Sequence, residues 1–310
     1  MRETENRLPR SETTFVFPQR LSARLDGISA FPVTIVEAPS GFGKTTAVRE
    51  FLKSLQHNSR QSWYTCFGEH PSKVWEGVCR LFGNVDIDVA RRLKELFPPT
   101  VETLPDIAEL MRECRCDAAT FLVIDNYQLF ESPIPYHIAH AFSAHSNPNL
   151  HMLFITQPLP TFEIAVQDAN IHRLGTRDFF FDRENTARLC RTAGARMTEK
   201  EIDRIQSVSE GWVSAILLQA SNYMETGAFA DARDMDALVE TAIWNRMTGE
   251  EHEFLLGLSL LDAFSPRQAA IMAGGPTLPE HLLKMLKNGF FISRSEEHTS
   301  ELQSHDDISY

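Results

Sequence analysis

The 310-residue chain carries 30 basic and 42 acidic side chains, a formal net charge of −12, which argues against general nucleic-acid coating because that needs clustered lysine and arginine. It is long enough to bury a sizeable core in two or three folded units. No apolar run spans a bilayer, the first residues are no signal peptide, and the five cysteines are odd in number without zinc-site spacing, so the expectation is a cytoplasmic protein with reduced thiols and no membrane association.

Residues 1–27 read as an N-terminal arm: polar and charged through Thr14, then Phe15–Leu21 leading into a short helix that ends near Gly27. Arg20, just ahead of the first strand, stands either as a contact to a bound nucleotide or as a solvated surface arginine. Val33–Val36 is a β-branched strand. It runs through Glu37 and Ala38 into Pro39, Ser40, Gly41, Phe42, Gly43, Lys44, Thr45 and Thr46, and a helix follows to about Leu55. This is the phosphate-cradling pattern ending in Gly-Lys-Thr, with Ala38 where the strictest form has glycine. Gly41 and Gly43 let successive N–H groups turn into one concavity at a helix N-terminus. Lys44 is then suited to the outer phosphates and the Thr45 hydroxyl to Mg2+.

Next come a strand over Ser62–Phe67, a helix over Lys73–Phe82 with Val74, Trp75, Val78 and Leu81 on one face, and two helices within 86–116 broken at Pro98 and Pro99. Thr120–Asp125 is a continuous apolar run closed by an acid, as in a strand buried on both faces of a parallel sheet. A helix over about Ile134–His145 and strands at Leu150–Thr156 and Ile171–Leu174 complete the alternation. The fold class expected is α/β: a P-loop NTPase with a doubly wound parallel sheet over 28–176.

From Asp182 the pattern turns wholly helical. Asp182 is a candidate N-cap and Thr198–Glu201 a capping box, and a strongly apolar helix runs from Gly211 to about Met224. The helical domain is set at 177–232. Helices at Met235–Met247, Gly249–Leu261, Ser265–Ala273 and Leu278–Leu286, then a turn into Phe290–Ser293, suggest a winged-helix domain over 233–293, cut in its wing. Residues 294–310 share none of this periodicity and resemble a translated sequencing adapter. They are set aside as an artefactual tail, with the natural chain expected to continue past Ser293.

Asp125, ending a buried strand, is the partner expected to hold Mg2+ opposite Thr45, the alternative being a strand-end cap. Asn126 follows where many ATPases carry a second acid; its amide can position water but is no base. Gln157, at the end of the next strand, is suited either to sensing a γ-phosphate or to a plain turn before Pro158. No guanine-reading motif is present, which favours adenine.

The chain resembles the MalT-like, LuxR-type transcriptional activators built on a STAND ATPase core. The segments that carry the resemblance are Val36–Thr46, Ser62–Cys66 with Trp75, Phe121–Leu129, Phe154–Pro160, Asp178–Asp182, Ser209–Leu217, Glu253–Leu261 and Leu286–Ile292. The resemblance implies an ATP/ADP switch with Mg2+, in which the ATP state with an inducer drives self-association of the full-length protein. It also implies a DNA-binding domain beyond this chain and no DNA binding by the chain itself. Asn126 stands where that family usually has a second Asp, Gln157 where it usually has Arg, and Val213 where related ATPases place a proline against the base. The first two point to slow ATP hydrolysis at most. The alternative is a stand-alone P-loop ATPase or kinase with a helical lid.

Overall fold

The computed structural model describes residues 15–55, 59–132, 134–159 and 169–230, six positions between 231 and 246 (233, 234, 236, 237, 240 and 244), and residues 247–261 and 264–288. Most of the Met235–Met247 helix, the Phe290–Ser293 strand and the 294–310 tail lie outside the described residues. Backbone contacts divide the chain into two units, Met1–Asn245 and Arg246–Tyr310.

The first unit is a five-stranded parallel sheet flanked by helices. Its strands are β1 (Val33–Glu37), β2 (Arg60–Thr65), β3 (Thr120–Asp125), β4 (Leu150–Thr156) and β5 (Ile171–Leu174), in the order β2-β3-β4-β1-β5. The helices are α1 (Gln19–Asp26), α2 (Lys44–Ser54), α3 (Pro71–Gly83), α4 (Ile87–Glu95), α5 (Leu104–Glu113) and α6 (Pro135–Phe142). The step from β1 out to β2 runs one way across the sheet and the later steps run back. Right-handed crossovers therefore put α2 on one face and α3 to α6 on the other. β1, β3 and β4 are buried at every position, which is why their sequences are near-continuous apolar runs rather than alternations.

Register builds the core in rows. Ile124, Phe154 and Ile35 lie side by side across β3, β4 and β1, as do Leu122, Met152 and Val33, with Ile171 continuing the second row. These side chains join Trp75, Phe82, Leu93, Leu110 and Phe142 of α3 to α6 in one cluster. Trp75 is fully enclosed and its indole N–H donates to the Leu93 carbonyl at 2.8 Å, so its one polar atom is satisfied.

β2 begins two residues earlier than the sequence pattern predicts, because it pairs with β3 from Arg60↔Thr120 to Thr65↔Asp125. Phe67, expected inside the strand, is 81% exposed.

Helices α7 (Arg183–Thr192), α8 (Glu199–Ser209) and α9 (Val213–Thr226) follow. Asp182 accepts from the Asn185 N–H, and Thr198 and Glu201 form the expected capping box. Helix α9 starts at Val213, not at Gly211. Glu210 (φ 49°) and Gly211 (φ 85°) are both left-handed and end α8 instead.

The second unit contains α10 (Gly249–Leu258), α11 (Pro266–Met272) and α12 (Glu280–Asn288). Capping boxes at Thr248 and Ser265 open the first two, and Phe254, Leu258, Ala269 and Leu282 form their core. Among the described residues no helix is long and apolar enough to cross a membrane.

Candidate functional site

The site sits at the C-terminal end of the sheet, where β1 passes through residues 38–43 into α2. Gly41 and Gly43 both take positive φ (79° and 76°), a region that side chains strain to enter. Gly43 is also the N-cap of α2 and has no side chain with which to cap it. The first N–H groups of α2 therefore face the loop, with the positive end of the helix dipole behind them. Lys44 Nζ donates to the Pro39 carbonyl at 2.9 Å, so the ammonium arches back over its own loop. Pro39, Ser40 and Lys44 are part-buried, Phe42 is buried, and Thr46 is exposed.

Asp125 closes β3 opposite this loop. The Thr45 hydroxyl lies 3.1 and 3.0 Å from its two carboxylate oxygens, and the Asn126 N–H donates to one of them at 2.9 Å. Burial raises the Asp125 pKa above the ordinary carboxylate range. The Thr45 hydroxyl, the Asn126 N–H, Lys44 and Arg49 oppose that rise. A buried anion facing a hydroxyl in this way is a fitting seat for a divalent cation. Asn126 itself is left-handed (φ 56°), a conformation that asparagine adopts more readily than most residues.

Gln157 follows β4, the neighbour of β1, and its backbone N–H donates to Gln128 Oε1 at 3.1 Å. Nearby, Glu37 is buried at the end of β1. It accepts from the Leu159 N–H at 2.9 Å and pairs with Arg173 on β5. The sequence reading did not single out this pair; an acid ending an otherwise apolar strand was the signal for it.

The helical segment reaches the loop directly. Val213 packs beside Gly43, and a Cβ added there would meet the valine methyl at 3.5 Å. Trp212 stacks near Phe42 with ring centroids 6.4 Å apart, and Phe180 meets Phe42 edge-on at 5.8 Å. The Ser214 hydroxyl and N–H both donate to the Gly41 carbonyl, at 2.7 and 3.2 Å. Gly211 is required by its neighbours, since a Cβ there would stand 2.3 Å from the Phe181 carbonyl oxygen.

Lys44, Thr45, Asp125, Asn126 and Val213 thus converge on one end of the sheet. Arg20 is engaged elsewhere, donating to Asp178 at 2.9 Å. Ser214 went unnoticed at the sequence level because a serine early in a helix ordinarily reads as part of that helix's own cap.

Residues 31–160 match the family model described as an AAA domain. Over 303 residues the chain is 21% identical to the HTH-type transcriptional regulator MalT of Serratia proteamaculans. Over 305 residues it is 20% identical to MalT of Yersinia enterocolitica. Each alignment covers 91% of this chain and 33% of the relative, so the chain spans about a third of the length of the curated relatives it matches. Among solved structures, a Walker-type ATPase of Pyrococcus abyssi superposes with a TM-score of 0.56 at 16% identity, over 94% of this chain and 95% of that one. The chain has the P-loop NTPase fold, and over most of its length it is similar to MalT.

Proposed function

We propose that this chain is the ATP/ADP-binding switch module of a signal-responsive transcriptional regulator similar to MalT. In this reading nucleotide state controls self-association, an inducer is sensed outside this chain, and DNA is read outside it as well. One observation carries the binding part: an uncapped helix N-terminus, a left-handed glycine loop and the Lys44, Thr45 and Asp125 side chains meet at one place. The regulatory part is supported by similarity to MalT over 91% of the chain. The LuxR-type and STAND assignments belong to the same proposal.

Bound Mg2+ would offset phosphate charge, and the residues to hold it are Thr45 and Asp125. The N–H groups around residues 41–45 bind the phosphates, and Lys44 exchanges the Pro39 carbonyl for a phosphate oxygen. Val213, beside Gly43, is assigned to the base. Arg20 contributes to it only on release from Asp178. With amides at Asn126 and Gln157 in place of an acid and a cation, the site holds nucleotide far better than it hydrolyses it.

The test is a thermal melt with and without Mg2+ and ADP or ATP. At a ligand concentration of about 100 Kd the folded state gains roughly 2.7 kcal/mol, a rise of a few degrees in midpoint. Lys44→Ala should lose most of that rise and keep the ligand-free midpoint, because its ammonium serves the ligand and not the core. An equal rise in the variant would overturn the assignment.

A further inference from the structure

The amino end of α9 is occupied by the phosphate loop. Ser214 is the second residue of this 14-residue helix, so its N–H is one of those left without an intrahelical acceptor. That N–H and the Ser214 hydroxyl both donate to one oxygen, the Gly41 carbonyl. In a planar trans peptide the C=O and the following N–H point opposite ways. Holding the Gly41 carbonyl toward α9 therefore turns the Phe42 N–H to the other side of the loop. Gly41 makes that hold possible, since a Cβ there would meet Ser214 Oγ at 2.7 Å and the Trp212 indole nitrogen at 2.8 Å. Without the hold, a left-handed glycine is free to rotate its peptide, and a carbonyl turned into the loop repels phosphate.

We propose that Ser214 is a positioning residue for the phosphate loop: from the helical segment it fixes the Gly41 peptide so that the loop's N–H groups stay aimed at the anion. The proposal rests on the reading of residues 39–46 as a phosphate cradle. By reciprocity, a bound phosphate steadies the seat of α9 on the loop, so occupancy is communicated to the helical segment.

The test measures Kd for Mg2+–ADP and for inorganic pyrophosphate by calorimetry on the full chain, in the unaltered protein and in Ser214→Ala, Ser214→Thr and Lys44→Ala. Losing one neutral hydrogen bond corresponds to about a fivefold change in affinity. Ser214→Ala is expected to weaken ADP and pyrophosphate by that same factor, and Ser214→Thr, which keeps a hydroxyl, to restore both. A Ser214→Ala protein that binds both ligands as well as the unaltered one, while Lys44→Ala loses them, overturns the positioning role and leaves the cradle standing. A loss confined to ADP also overturns it, because looser packing of α9 would disturb the base contact at Val213 and spare pyrophosphate. An unaltered protein that binds neither ligand overturns the cradle itself, and the proposal with it.

Discussion

The two ends of the parallel sheet are made from the same strands and treat their polar groups in opposite ways. At the C-terminal end, part-buried Lys44 rests on a loop carbonyl and part-buried Thr45 on the buried Asp125 carboxylate. Each of those bonds is one that a phosphate or a cation can take over. At the N-terminal end the histidines are buried and the asparagines bond a backbone carbonyl of a neighbouring segment. His151 bonds the Phe31 carbonyl at 2.9 Å, and the Asn147 and Asn149 amides both donate to the Cys116 carbonyl. His145 is buried beside them. The contrast separates function from stability. On the proposed reading, the pairs at the loop end are ones a ligand can exchange, whereas buried histidines make the other end sensitive to protonation.

The sharpest way to break this division is at Glu37, buried at the loop end of the sheet and paired with Arg173. Arg173→Ala leaves the Glu37 carboxylate buried without its cation, with a side chain only 7% exposed. Breaking such a pair costs about 3 kcal/mol or more. Urea unfolding at neutral pH should show that loss, and Arg173→Ala combined with Glu37→Gln should recover part of it. A loss below about 1 kcal/mol would mean the pair contributes no more than a surface one.

Acid should act on the opposite end. Burial, reinforced by the neighbouring His151, holds the His145 pKa down to about 4 from its ordinary 6.5. A depressed folded-state value means the stability is fully present above pH 6.5 and is lost as pH falls from 6.5 to about 4. From His145 alone the loss is roughly 3 kcal/mol. His151 and His172, also lowered by burial, act in the same direction. Unfolding free energies at pH 7.5 and pH 4.5 should differ less in His145→Leu than in the unaltered protein. An equal difference would clear His145 of the effect.

The smallest expected effect sharpens the functional end. Asn126→Asp together with Gln157→Arg should raise single-turnover ATP hydrolysis by about 10²-fold, the usual worth of a positioned base or charged contact. Both backbones tolerate the change: aspartate also accepts left-handed φ, and Gln157 is held through its N–H. Brisk hydrolysis in the unaltered chain, or no gain in the double variant, would show that these two amides are not what slows it.

Much of this was legible in advance because local chemistry dictates it. Thr120–Asp125 reads as a buried strand from apolarity alone, and the turn from strand to helix reads from Gly41 and Gly43, both left-handed in the structure. The Thr198 box closed as its spacing demands. What stayed hidden depends on residues distant in sequence. Phe67 looks like a strand residue until the pairing of β2 with β3 leaves it outside. Gly211 looks helical until the Phe181 backbone is seen against it. The Ser214–Gly41 contact joins positions 173 residues apart, which no local pattern reports.

The strand order also bears on how the chain is made. β1 leaves the ribosome well before its two neighbours, β4 and β5, and Val33 pairs with Met152, 119 positions later. At ordinary translation speeds that is a delay of roughly 6–24 s. Throughout it the nascent chain carries an apolar strand with both edges open, the form most prone to adhere to other chains. Slowing elongation between residues 37 and 150 should therefore lower soluble yield, while slowing it once β4 and β5 have cleared the ribosome should not.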